Sequence, residues 1–352
     1  MSNEGAPAVP AAGTRLWSSP EWLACALEWL DARLCAAGVQ RTGAVEQQHL
    51  RPWATALRVP TSRGVVWFKA AAPGTAFEVG IYPLLFRAAP RWVLEPLAID
   101  VQRGWIVLPD GGPTVRSSIP AAEVLAVLAE VLPQYAELQL ELAPHADELV
   151  TLGVKDMRAA LLPQRFDEAL HEAEHGARKR ESAADLELCR RLRQHRPQFE
   201  SLCRRLAGAP GPASLDHNDL HSGNIFLQPS EVPGRRVSAR FYDWGDSVVA
   251  HAFSSLLVPL SLIREQYQLG ADDPWLARLR DAYLDPFSSL GPRAELIAAL
   301  ELACHAGKVA RALTWARALQ CLHGEDANQH FARAPLRWLG FLLDESYLGS
   351  GG

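Results

Sequence analysis

The sequence predicts an α+β protein of two lobes, a small β-rich N-terminal lobe followed by a large helical C-terminal lobe. Three observations lead there. From about residue 43 to 109 short apolar runs alternate with turn residues. From 117 onward apolar residues recur mostly at helical spacing. The two textures meet at DGGPTVR, residues 110–116, a Gly/Pro punctuation point that reads as a hinge. With 352 residues, 48% of them hydrophobic and 21% charged, the chain has the composition of a globular protein and the length for two lobes.

Residues 1–14, rich in Ala and Pro, read as a disordered tail. The first lobe, 15–109, opens with SSPEWLACALEWLDARLCAAG, a helix that Ser19 can cap, Pro20 can begin and Gly38 can end. Trp22, Leu23, Ala26, Leu27, Leu30 and Leu34 form its apolar stripe. ATALRVP and GVVWFKA, split by TSR, read as a hairpin, and FEVGIYPLLFRAA as a short helix. LEPLAIDVQ and GWIVLP are two further strands around an Arg-Gly turn. In the second lobe, 117–352, AAEVLAVLAEVLPQYAELQLEL is a long amphipathic helix with a kink expected at Pro133. Another helical region spans about 184–206. ASLDH, NIFLQ and ARFYDW then interrupt as strands, and from about 252 the chain returns to helix.

A net charge of −5, with no basic stripe beyond the short RKRES segment, argues against a nucleic-acid partner. The N-terminus lacks the pattern of a signal peptide, and SSLLVPLSLI is too short to span a bilayer, so a cytoplasmic protein without a membrane partner is expected. None of the six cysteines forms a CxxC pair; buried free thiols in a reducing compartment are expected. Composition leaves the oligomeric state open.

The chemistry concentrates in ASLDHNDLHSGNIFL, residues 213–227. Asp219 and Asn224 lie on a loop between two short strands, and Asp243 closes the strand ARFYDW just before Gly245. Pairing of neighbouring strands would bring Asp243 to the loop. The site would then hold a carboxylate able to accept a proton, with an amide oxygen and a second carboxylate as hard ligands for Mg²⁺. Lys69, one of only four lysines, ends an apolar strand on the face of Val65 and Trp67. Glu78 stands on the helix just downstream.

These motifs resemble those of the aminoglycoside phosphotransferase and choline kinase family, relatives of the protein kinases. His217, Asp219 and Asn224 match the catalytic segment, and Asp243, Trp244 and Gly245 the metal-binding segment. The resemblance covers roughly residues 43–260 and implies a bilobal protein-kinase-like fold. It implies an ATP- and Mg²⁺-dependent phosphotransferase acting on a small-molecule hydroxyl, such as that of an antibiotic, amino alcohol or sugar. Asp219 would be the catalytic base, Asn224 and Asp243 the Mg²⁺ ligands, and Lys69, held by Glu78, the phosphate-binding cation. His217 would brace the loop. Adenine would lie against the connector, with backbone groups near Leu108 to Asp110 meeting its edge. Asn218 stands where the family more usually has Gly, and Ser254 or Ser255 where a further Asp commonly braces the catalytic loop.

Two other readings compete. His217, Asp219 and His221 alternate as a zinc-binding metallohydrolase strand would require. A non-catalytic nucleotide-binding protein on the same fold is the other. The phosphate acceptor is expected to meet the helical region from about 255 onward, where Glu325, Asp326, Asp344 and Glu345 are either surface charges or attractors of a cationic acceptor.

Overall fold

The computed structural model describes residues 13–320 and 329–348. The expected tail, apart from its last two residues, lies outside them, as do Cys321, Glu325 and Asp326. The described chain divides into two compact units, one of residues 13–83 and 95–110, the other of 84–94, 111–319 and 329–348. No helix among the described residues is long and apolar enough to cross a membrane.

In the first unit, α1 (Pro20–Ala36) begins where Ser19 accepts the Trp22 N–H at 3.2 Å, with proline in the first turn. Beyond its end Gly38 takes a φ of 68°, open to glycine without strain. Trp22, Ala26, Trp29, Leu30 and Leu34 are buried, whereas Leu23 is 37% exposed; Trp29 supplies the bulk assigned to Leu23 from spacing alone. The helix shares a core with one face of an antiparallel sheet of β1 (Glu46–Arg51), β2 (Ala54–Thr61), β3 (Gly64–Ala71), β4 (Ala98–Asp100) and β5 (Trp105–Pro109), ordered β1-β2-β3-β5-β4. Phe68 and Trp105 meet edge to face at 5.4 Å, and Trp29 reaches Trp105 at 5.5 Å. The edge strand β1, EQQHLR, is almost wholly exposed and has no apolar alternation, so its sequence gives no strand signal. The helix α2 (Phe77–Ala88) carries Pro83 inside it.

In the second unit, α3 (Val124–Leu142) runs on through Pro133 and is buried along most of its length. Helices α4 (Leu162–Lys179) and α5 (Ala183–Ala207) pack together, with Phe166 stacked on Phe199 at 5.0 Å. Three short strands, β6 (Lys155–Asp156), β7 (Ala213–Asp216) and β10 (Val248–His251), form a sheet ordered β6-β10-β7. The hairpin β8 (Ile225–Pro229) and β9 (Val237–Phe241) pairs Ile225 with Phe241. Helices α6 (Leu257–Gln266), α7 (Pro274–Leu284), α8 (Arg293–Gln320) and α9 (Ala334–Gly340) complete the unit. The segment read as a hinge is closely packed from Gly111 on. Leu227 donates its N–H to the Pro113 carbonyl at 2.9 Å, and Thr114 caps a short helix, Val115–Ser118. Cys189, Cys203 and Cys304 are buried, but Cys25 and Cys35 are exposed, because both fall on the outward face of α1.

Candidate active site

The loop that follows β7 is held from below by buried polar groups. Asp216 Oδ1 accepts two hydrogen bonds at 2.8 Å, from the Asn218 N–H and from Ser255 Oγ. The hydroxyl of Ser255 thus meets a carboxylate at the strand end, the reverse of an Asp bracing the loop from the later segment. Burial pushes the Asp216 carboxyl up to about 6, with Ser255 and the Asn218 N–H opposing. Tyr135 on α3 donates its hydroxyl to the Leu215 carbonyl at 3.2 Å and accepts the His217 N–H at 2.9 Å.

His217 is fully buried against Trp244 at 4.8 Å, and burial lowers its pKa. Its Nε2 lies 2.9 Å from the Tyr242 carbonyl, which can only accept, so Nε2 carries the proton. The ring therefore bridges the loop to the residue before Asp243. His221 turns differently. Its Nδ1 accepts the Gly223 N–H at 3.0 Å and faces Arg116 Nη2 at 3.2 Å, leaving the proton on Nε2, 3.7 Å from Asp219 Oδ2. Burial and the neighbouring Arg116 push His221 down to about 4. With these separate duties His217, Asp219 and His221 form no metal-binding group, and no set of three or more His, Cys, Asp or Glu among the described residues does. The zinc hydrolase reading fails on that geometry: the ladder of β7 ends at Asp216, so the alternation it needs never forms.

Asp219 has its side chain 32% exposed. Removal from water pushes its carboxyl up to about 7; Arg311 opposes this, and Asp246 and Asp243 add to it. Asn224 is buried and donates Nδ2 to the Asp219 carbonyl at 3.1 Å, and no described residue donates to its Oδ1. Because Ile225 pairs with Phe241, the residues just outside the hairpin ladder meet: the Tyr242 N–H donates to the Asn224 carbonyl at 3.3 Å, and Asp243 follows. The structure brings Asp219, Asn224 and Asp243 together. Asp243 does not close the strand, which ends at Phe241; it stands in a left-handed turn with φ 68° and ψ 61°. Among the described residues only four non-glycine residues have positive φ, and two of them, Asn218 at 58° and Asp243, stand in these two loops. An amide oxygen and a carboxylate, both hard donors, suit a Mg²⁺ ion that keeps most of its water.

In the first unit, Lys69 Nζ lies 2.9 and 2.7 Å from the two carboxylate oxygens of Glu78, which is 1% exposed. Nine residues suffice because β3 leads into α2 through a short turn closed by Thr75. Leu108 lies in β5 opposite Trp67. Just beyond β5 the Asp110 N–H donates to the Val65 carbonyl at 3.2 Å.

Sequence reasoning missed the part α8 plays. Arg311, buried in that helix, points Nη2 at Asp219 Oδ1 (3.4 Å) and Nη1 at Asp246 Oδ2 (3.3 Å). The available signal was a charged residue within the apolar run KVARALTWA.

A β-rich unit with a lysine–glutamate pair, followed by a helical unit carrying this loop and hairpin, is a protein-kinase-like fold. The chain shares that fold with small-molecule phosphotransferases and kinases. Plasmodium vivax ethanolamine kinase superposes with a TM-score of 0.61 at 16% identity, over 92% of this chain and 88% of that one. A Ralstonia eutropha protein described as an aminoglycoside phosphotransferase gives 0.53 at 17% identity, over 89% and 96%. An amicoumacin kinase in complex with AMP-PNP, Ca²⁺ and its antibiotic gives 0.52 at 11% identity, over 91% and 96%. No protein-family model and no curated protein matches the chain. The fold is therefore that of the aminoglycoside phosphotransferase and choline kinase family which the motifs resemble.

Proposed function

We propose that this protein transfers the γ-phosphate of ATP to a hydroxyl group of a small molecule, with Mg²⁺ as cofactor. The observation that carries the reading is the meeting of Asp219, Asn224 and Asp243 at the mouth of the β8–β9 hairpin. Asp219 accepts the proton of the acceptor hydroxyl, with the His221 Nε2–H facing its carboxylate. Asn224 Oδ1 and Asp243 hold the metal, which when bound neutralises charge on the phosphates. Lys69 binds the nucleotide phosphates, and Glu78 keeps its ammonium aimed. Catalysis comes from positioning and from fixed charges. In this proposal residues 15–109 serve the nucleotide, 110–116 connect, and 117–352 supply the catalytic loop and the acceptor site. The AMP-PNP and Ca²⁺ bound to the amicoumacin kinase support nucleotide and divalent-metal use, and the acceptors named for the neighbours support a small molecule.

The test incubates the protein with Mg·ATP and a panel of amino alcohols, aminoglycosides, macrolides and sugars, following ADP release and acceptor phosphorylation. Asp219→Asn serves as the blank and should lower turnover about 100-fold or more while ATP affinity stays within a few-fold. Equal turnover in the variant would remove Asp219 from the role of base. Tight Mg·ATP binding with no transfer to any acceptor or to water would favour the non-catalytic nucleotide-binding protein.

A further inference from the structure

We infer that Arg311 is a positioning residue of the transfer site, the group through which α8 holds the catalytic loop and the metal-binding turn in register. The inference rests on the phosphotransfer reading. Arg311 lies mid-helix and is buried, yet its guanidinium reaches both loops at once. Nη1 donates to the Asn218 carbonyl and to Asp246 Oδ2, and Nη2 lies 3.4 Å from Asp219 Oδ1. The same face of α8 repeats the pattern turn by turn. Thr314 Oγ1 accepts the Asn218 Nδ2 at 2.9 Å, and Arg317 Nη2 donates to the Gly245 carbonyl at 2.9 Å. Asn218 Nδ2 also donates to the Asp246 carbonyl at 3.2 Å, closing the clasp between the loops.

The clasp has work to do at Asn218. That residue, immediately before Asp219, has a φ of 58° although it is not glycine. A left-handed asparagine persists where its surroundings hold it. Here its carbonyl is held by Arg311 and its side chain by Thr314. A guanidinium fork suits the task because it is planar and meets several oxygens at fixed angles, which an ammonium does not. Trp315 and Trp338, 6.0 and 5.7 Å from the guanidinium carbon, flank the group and limit its travel. Without the fork, Asn218 relaxes and the carboxylate next to it moves away from the acceptor hydroxyl.

The test compares wild type with Arg311→Met, Arg311→Lys and Thr314→Val. Slow ATP hydrolysis with water as acceptor gives turnover, calorimetry gives Mg·ATP affinity, and thermal denaturation confirms folding. Arg311→Met should lower turnover about 100-fold, the size of effect expected when a reacting group is misplaced by about 1 Å. Mg·ATP affinity should fall far less than turnover, since Lys69, Asn224 and Asp243 are all retained. Arg311→Lys should recover only part of the loss, and Thr314→Val should lower turnover less, again with a smaller effect on affinity than on turnover. A merely structural arginine would lower the melting temperature and leave turnover below it unchanged, and that result in any folded variant overturns the inference. Should Arg311→Met not fold, Arg311→Lys and Thr314→Val decide the question by the same split. Wild-type protein that neither binds nor hydrolyses Mg·ATP overturns the phosphotransfer reading itself. Wild-type turnover matched by the folded Arg311 variants overturns this inference alone.

Discussion

Asp216 places a carboxyl group where water does not reach it, and the consequence is a pH dependence of folding. Its pKa rises from 3.8 to about 6 because burial disfavours the charged form more than Ser255 and the Asn218 N–H favour it. A carboxyl whose folded pKa exceeds its unfolded value contributes stability that is fully present below about pH 4 and is lost as the pH rises through about 6. The loss is on the order of 3 kcal/mol. Asp216→Asn keeps a neutral Oδ1 for both donors and removes the titrating group. The variant is therefore expected to be more stable than wild type at pH 7.5, by about 1–3 kcal/mol. Urea denaturation should show wild type losing more stability than the variant between pH 4 and 8, while Asp219, raised to about 7, titrates in both proteins. An equally steep decline in both would show that Asp216 contributes nothing to it. Nothing in the local sequence LDHND marks the residue; its contact with Ser255, 39 residues on, is what makes it a brace.

At the scale of elements, the segment joining Pro109 to α3 shows how a Gly/Pro stretch can be closely packed. A Cβ on Gly111 would stand 2.6 Å from Phe226 Cγ and nearer still to the ring edge. That ring cannot easily retreat, since it stacks on Tyr242 at 4.1 Å with only 15° between the planes. Gly111→Ala should therefore cost about 1–3 kcal/mol by overpacking and should shift β8. Because Asn224 immediately precedes that strand, Mg²⁺-dependent ATP binding should weaken as well. Urea denaturation and calorimetry check the two effects, and an alanine variant with wild-type stability would show that Phe226 can turn aside. Other elements were differently legible. The α1 helix announces itself through Ser19, Pro20 and Gly38, each acting on its own neighbours. Strands β1, β6 and β10 do not: β1 is polar and exposed, β6 is two residues long, and β6 and β10 depend on partners distant in the chain.

At the scale of the molecule, the proposal makes Mg·ATP a ligand of the folded protein, with Lys69, Glu78, Asn224 and Asp243 as the groups proposed to hold it. A ligand that binds only the folded protein raises its stability by about 2.7 kcal/mol at 100 times its dissociation constant. Mg·ATP should therefore raise the melting temperature by several degrees, and chelating the metal should remove most of the rise. Lys69→Met and Asp243→Ala should each suppress the shift. A shift that persisted in both variants would place the nucleotide elsewhere.

The sequence by itself determined what depends on near neighbours. Lys69 lies near the end of an apolar strand, nine residues before Glu78, and Asp219 and Asn224 share one loop whose hairpin brings Asp243 back to it. Short-range spacing carries such information, because strand pairing and a brief turn leave the chain few alternatives. Tertiary structure alone decided the rest. It turned His217 to a carbonyl and His221 toward the carboxylate, and it left Asp243 in a strained turn beyond its strand. It also set Arg311, 93 residues from Asn218, against the loop. Those outcomes follow from burial: a polar group shut away from water must find partners, and packing of distant segments decides which partners are within reach.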